Sequence, residues 1–333
     1  MLDGLLLVAG IALAEEVEGP WKGGAYVDLA VAGAEVHAVW LKKDALWYAA
    51  GKGAPELVAT GVMSGDGGGI RPEVLVNAGS VTVLYSTAGA LIKRLKAGNG
   101  WTEQTVSPPD VAGPFLAAIA PVAGGGAVVA GIGGGHHRST VFVAGKTVYE
   151  GGDDGVCMCC KPSLVADGSG YQLVFRDADG RRRDNRRLVS EDGLTWTDAG
   201  EVTHGGWSPG GCPSDGPVAT ATTVVVSDGR TGRRIVYEID RAGEKALSAL
   251  DPKAEMLQPR TLPDASLTTW VEAVPGKSTL VVRDGPGRPQ AVATTAGRME
   301  PGDPVAVGSE VWIPWQGDVA HVTRWESQAP PGM

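Results

Sequence analysis

From Trp21 onward the chain repeats one pattern. Runs of five to eight residues rich in Val, Ala, Leu, Thr and Tyr alternate with Gly-containing turns. The runs fall into groups of about four, with one group every roughly 40 to 50 residues. A unit of that size cannot bury its own apolar faces, so neighbouring units must stack on it. No stretch keeps a helical apolar period beyond about two turns, which excludes a long helix. The 50 Gly and 22 Pro among 333 residues supply the tight turns that many short strands need.

Many groups open with a small or polar residue, often a Pro, leading into an apolar strand: Arg71-Pro72-Glu73-Val74, Lys161-Pro162-Ser163-Leu164, Gly216-Pro217-Val218 and Asp303-Pro304-Val305. A second strand with bulkier residues follows, as in Val36 to Trp40, Val81 to Tyr85 and Tyr171 to Phe175. The groups cover 24–60, 70–108, 114–150, 161–203, 215–250, 256–295 and 303–326, a count of seven, with six as the alternative because the third and fifth are weakly marked. The last group has three clear strands, and the segment from Val17 to Trp21 is expected to supply the fourth and close a ring. Closure removes the open sheet edges that would otherwise aggregate. The expected fold is an all-β propeller of four-stranded blades, one domain over residues 15–333, monomeric.

Residues 1–14 read as an export signal: an apolar run from Leu5 ends in Ala12-Leu13-Ala14, followed by Glu15-Glu16. Asp3, with no Lys or Arg before the run, departs from that pattern. The run is too short to span a bilayer, so no transmembrane segment is expected, and the mature chain should be periplasmic or secreted. A net charge of −9 and a pI near 5.1 argue against a nucleic-acid partner. The densest basic run, Arg181, Arg182, Arg183, Arg186 and Arg187, is interrupted by acids and reads as a solvated hairpin edge.

Ser190-Glu191-Asp192-Gly193-Leu194-Thr195-Trp196 resembles the Asp-box, the S-x-D-G-x-T-W hairpin of sialidase-like (BNR-repeat) propellers. Lys96 to Trp101 resembles a decayed copy at the equivalent turn of the second group. In that family the boxes are structural and lie on the face away from the active site. The resemblance also implies an arginine triad for a substrate carboxylate. Arg71, Arg176 and Arg260 are the candidates, but no complete catalytic set can be assembled, and Tyr237 with Glu238 points to opposite faces of one strand.

All four cysteines fall between residues 157 and 212: Cys157, Cys159 and Cys160 form C-x-C-C before Lys161-Pro162, and Cys212-Pro213 precedes Gly216-Pro217. Both segments connect the outer strand of one blade to the inner strand of the next. Such connectors share one face of a propeller, so Cys212 is expected within reach of the C-x-C-C turn. The same face should carry the loops holding His136 and His137, and Arg176 to Gly180, while Met158 sits inside the motif. Met63 and Met256 precede the second and sixth groups. Across the fourth and fifth groups the chain is similar to bacterial sialidase-like propellers with the same C-x-C-C and Cys-Pro pattern.

Soft thiolate and thioether donors favour Cu(I), and thiolate with imidazole also suits Zn(II). Three thiols within four residues depart from the usual C-x₂-C zinc spacing and better suit copper. The competing reading is a disulfide, since an exported chain with an even cysteine count usually oxidises them. A vicinal Cys159–Cys160 bond would be strained, and Cys157 or Cys160 with Cys212 would staple two blades. Gly131 to Gly135 opens no helix and is no phosphate loop. Asp153-Asp154 reads as an exposed turn, and Trp40, Trp207 and Trp315 are candidates for the channel mouth. The functional expectation is a cysteine-rich metal site on one face. The alternative is a sialidase-like hydrolase or glycan-binding module for a carboxylated sugar, and a third reading is a disulfide-stapled scaffold.

Overall fold

The computed structural model describes residues 14–65, 70–98, 100–135, 138–152 and 154–326, and all structural statements concern these. They contain β-strands, turns and no helix, and so no helix long and apolar enough to cross a membrane. Six antiparallel four-stranded sheets span Ala25–Ala59, Glu73–Thr105, Leu116–Tyr149, Ser163–Glu201, Val218–Ala246 and Glu255–Thr295 in chain order. The seventh is completed across the chain's ends: Glu15–Glu16 pairs with Ala320–Glu326, which pairs with Glu310–Gln316. Glu300–Pro301 and Val305–Val307 pair in turn with Glu310–Gln316 as its interrupted inner strand. The fold is a seven-bladed β-propeller, which removes the six-blade alternative. The closing strand lies just ahead of the expected Val17–Trp21 segment, of which only Val17 continues the ladder, donating to the Val322 carbonyl at 2.8 Å.

Position within a blade decides composition. Each second strand is packed between two neighbouring blades, so both of its faces are buried and it reads as a near-continuous apolar run, as in Tyr171–Arg176. Outer strands such as Gly243–Ala246 and Thr197–Glu201 are almost wholly exposed and carry the charges that blunt an edge. Seven apolar clusters result, one for each pair of adjacent blades. The cluster holding the first blade to the last contains Val27, Leu29, Trp40, Ala320 and Val322. The seam between the fourth and fifth blades is the thinnest, with Val174, Ala219, Val224, Val226 and Tyr237 as its buried members.

The hairpin at 190–196 sits at the end of the blade opposite the cysteine connectors, between Asn185–Ser190 and Thr197–Glu201. Asp192 accepts from the amides of Thr195 and Leu194 at 2.7 and 2.8 Å, and the Gly193 amide donates to Ser190 Oγ at 2.8 Å. Gly193 takes φ of +73°, which a side chain would strain. Trp196 packs on the cluster between the third and fourth blades.

Those amide donors pull the Asp192 pKa down to about 2. A depressed carboxylate stabilises the fold above its unfolded pKa and loses that contribution as pH falls through the folded value. Asp192→Ala should therefore lower the melting temperature at pH 7, and the gap to wild type should close between about pH 4 and pH 2. Thermal melts across that range check it, and a gap independent of pH would contradict the assignment.

Candidate metal and thiol site at the seam between the fourth and fifth blades

The connector 157–161 enters the fourth blade and the connector 212–216 enters the fifth. They touch: a Cβ on Gly216 would run into the Lys161 carbonyl oxygen, so this position admits no side chain. The contact brings all four sulfurs together. Cys159 and Cys212 are disulfide-bonded, with Cα atoms 6.6 Å apart, while Cys157 and Cys160 are free thiols. Neither pairing weighed from sequence for Cys212 is the one formed; the partner of the exposed Cys212 is Cys159, which is half-buried, whereas Cys157 and Cys160 are buried. Cys157 Sγ lies 3.7 Å from Cys159 Sγ and 3.3 Å from Cys160 Sγ. The sulfurs of Cys157, Cys159 and Cys212 all fall within 4.8 Å of one another.

These sulfurs face a cleft of about 430 Å³ that Met158, Arg181 and Arg183 also line. Arg181 and Arg183 belong to the loop between the second and third strands of the fourth blade, so that loop does share the cysteine face. His136 and His137 lie outside the described residues, as does Asp153. Met256 is fully buried in the core between the fifth and sixth blades and is a packing residue, and Met63 is half-buried beside Ser86.

Beneath the sulfurs lies a fully buried cation. Arg176 donates to the carbonyls of Arg183 at 2.7 Å and Ser227 at 2.9 Å, and pairs with Asp215 at 3.5 Å. Asp215 also binds Arg234, and both guanidiniums lie over the Trp207 ring, at 5.0 and 5.7 Å from its centroid. Two guanidiniums thus share one carboxylate, and Asp228 is a further acid acting on Arg176. Burial opposes the Arg176 cation, but the cysteine sulfurs and Asp215 outweigh it and hold its pKa above the ordinary value. The hydrogen bond between the two thiols lowers Cys157 to about 7, and the Cys159 amide and Arg176 act in the same direction. Burial pushes Cys160 well up. One thiolate is therefore available near neutral pH, and while Cys157 carries that charge it adds to the burial that holds the proton on Cys160.

A second charged group lines the channel. Lys161, one residue past Cys160, bridges Glu73 and Asp303 at 3.1 Å each. Arg260 Nε contacts Asp303 at 3.2 Å, and Arg71 donates to the Pro301 carbonyl at 2.8 Å. Asp28 accepts from the Val74 amide at 2.8 Å, and burial raises its pKa to about 7, with Asp303 and Glu73 adding to the shift. Burial and the neighbouring Arg71 lower Arg260 to about 10. The structure thus places Arg260 in the channel lining with Arg71 beside it, and leaves Arg176 in the seam. Sequence reasoning read the openings at Glu73, Lys161 and Asp303 as strand starts and missed them as channel charges. The signal was a charged residue beside Pro at several openings. Trp40, Trp207 and Trp315 are all buried and present no free stacking surface; Trp315 stacks on His321 at 4.0 Å. Two arginines of the basic run are ion-paired, Arg182 on Asp184 and Glu201, and Arg186 on Asp198 and Asp177.

No family model and no curated protein matches the chain. Among solved structures it is similar to a puromycin-hydrolysing peptidase of Mycobacterium tuberculosis, with a TM-score of 0.61 and 15% identity over 93% of this chain and 53% of that one. It is similar to a catalytically inactive virginiamycin B lyase from Staphylococcus aureus with quinupristin, at 0.58 and 12% over 94% and 99%. It is also similar to an ulvan lyase of polysaccharide lyase family PL25, at 0.58 and 10% over 96% and 95%. The chain spans about half the length of the prolyl endopeptidases and the puromycin-hydrolysing peptidase that it matches. At these identities the likeness shows the β-propeller fold and nothing of the chemistry.

The seam should be sensitive in a defined order. Asp215→Ala removes the carboxylate from fully buried Arg176 and half-buried Arg234 and should cost about 3–5 kcal/mol. Cys212→Ser opens a loop of 53 residues and should cost about 2–4 kcal/mol. Denaturant unfolding of the two variants checks both, and an Asp215→Ala cost below about 1 kcal/mol would remove the buried pair from the account.

Proposed function

We propose that this chain is an exported sialidase-like propeller whose fourth-to-fifth blade seam, when reduced, binds a soft metal ion, copper(I), through Cys157, Cys159 and Cys212. Cys160 and Met158 stand as further sulfur donors beside them, and His136 and His137 as the auxiliaries expected from sequence. The observation that carries the reading is the approach of three sulfurs within 4.8 Å, drawn from two connectors far apart in sequence. Among the described residues that group contains no imidazole or carboxylate, and an all-sulfur donor set favours Cu(I) over harder ions. Zinc is the competitor that thiolates also accept. Arg176 supports an anionic metal–thiolate centre, because its buried cation already interacts favourably with the Cys157 and Cys160 sulfurs. The role would be copper binding, storage or delivery, or a metal-dependent oxidation. The Asp-box hairpin supports the sialidase-like kinship, and the apolar run ending at Ala14 supports export.

The metal-bound state is one of the reduced chain, since a sulfur held in the Cys159–Cys212 bond is not a thiolate. After reduction under anaerobic conditions the protein should show four titratable thiols and retain Cu(I) against a chromogenic chelator. Replacing Cys157, Cys159 and Cys212 together by Ser should abolish retention. Four free thiols with no Cu(I) retained would end the metal reading.

A second reading, from a different class, is a carboxylated sugar ligand in the channel. It is favoured by Arg71 and Arg260 together there, where Arg260 already holds a carboxylate, that of Asp303. Turnover of a fluorogenic sialoside by wild type, lost in Arg260→Ala and kept in Cys212→Ser, would establish it. No turnover and no binding of sialic acid would exclude it.

A further inference from the structure

The four sulfurs make a series of contacts running inward from solvent. Cys212 is exposed and bonded to half-buried Cys159. Cys159 Sγ lies 3.7 Å from Cys157 Sγ, and Cys157 Sγ lies 3.3 Å from that of Cys160, which is wholly buried. A disulfide and two thiols therefore touch in series, and Cys157 Sγ also lies within 4.8 Å of Cys212 Sγ. We propose that this series is a disulfide relay, in which the Cys159–Cys212 bond migrates inward to Cys157–Cys160 through two internal exchanges.

In the first exchange the Cys157 thiolate attacks Cys159 Sγ. A Cys157–Cys159 bond forms, the Cys159–Cys212 bond breaks, and the electron pair leaves on Cys212 as thiolate. In the second, Cys160 as thiolate attacks Cys157 Sγ. A Cys157–Cys160 bond forms, the Cys157–Cys159 bond breaks, and Cys159 leaves as thiolate. The two protons given up by Cys157 and Cys160 pass through solvent to Cys212 and Cys159. One disulfide and two thiols are present before and after, so no oxidant or reductant is consumed. Only Cys157 contacts both Cys159 and Cys160 among these sulfurs, which makes it the obligatory middle of the relay.

The migration has two consequences. It removes the covalent staple from the seam with the thinnest apolar contact. It also places two free thiols, Cys159 and Cys212, on the cleft of about 430 Å³ without any change in the redox state of the chain. The relay needs no metal, so it goes beyond the copper reading and stands or falls separately.

The test uses metal-free, full-length protein carrying one disulfide. It is held at about pH 8, near the ordinary thiol pKa, then quenched in acid, alkylated and mapped by tandem mass spectrometry. Wild type is expected to reach a steady mixture of the three isomers, Cys159–Cys212, Cys157–Cys159 and Cys157–Cys160. Cys160→Ser should lose the third isomer and keep the second, and Cys157→Ser should hold the first alone, with Cys212 unlabelled. Wild type found only as Cys159–Cys212 at equilibrium would overturn the relay, and so would isomers persisting in Cys157→Ser. The wild-type mixture decides the matter even if a variant does not fold. Isomers present without Cu(I) retention would remove only the metal reading, and retention without isomers would remove only the relay.

Discussion

A fully buried guanidinium organises the seam on which the candidate site is built. Arg176 ends the second strand of the fourth blade, where both faces are covered and no water can solvate its charge. It persists because the Arg183 and Ser227 carbonyls, the Asp215 carboxylate and the Trp207 ring all meet it. Asp215 comes from the connector entering the fifth blade, so satisfying Arg176 draws that connector across the seam. Gly216 then lets it lie directly against the Lys161 backbone. The cysteines occupy the same two connectors, and their convergence follows from this packing. Where apolar burial between blades is least, a polar network and a disulfide take its place.

Much of this was legible in the sequence, for identifiable reasons. The blade count could be read because strand position dictates composition: sandwiched second strands are apolar on both faces, and exposed outer strands are polar. The hairpin at 190–196 could be read because its hydrogen bonds are local, each closing within three residues. The meeting of Cys212 with the C-x-C-C turn followed from topology, since consecutive connectors share one face. What stayed hidden depends on side-chain direction across long sequence separations. Pattern could not show which cysteine partners Cys212, that Arg234 and Arg176 share Asp215, or that Trp207 lies beneath two guanidiniums instead of facing a ligand. The closing strand was placed slightly late because Glu15-Glu16 lacks the apolar pattern of an inner strand. As an outer edge it does not need one.

The channel and the seam meet at Lys161. Its backbone abuts Gly216 in the seam, and its ammonium bridges Glu73 and Asp303 in the channel. Propellers of this shape carry unrelated activities, as the peptidase and lyase structures that resemble it show, so the fold leaves the chemistry open. What distinguishes the seam is its donor set. Sulfur atoms crowd one cleft beside the buried Arg176 cation, and among the described residues their group contains neither histidine nor carboxylate. That combination suits a soft cation held by thiolates, with the disulfide as its oxidised counterpart.

X-ray absorption at the copper edge of the reduced, Cu(I)-loaded protein probes this account most directly. A first coordination shell made of sulfur alone, lost when the three cleft cysteines are replaced, is the predicted result. A shell of nitrogen or oxygen donors, or one unchanged by those replacements, would contradict the claim that the seam's sulfurs form the metal site.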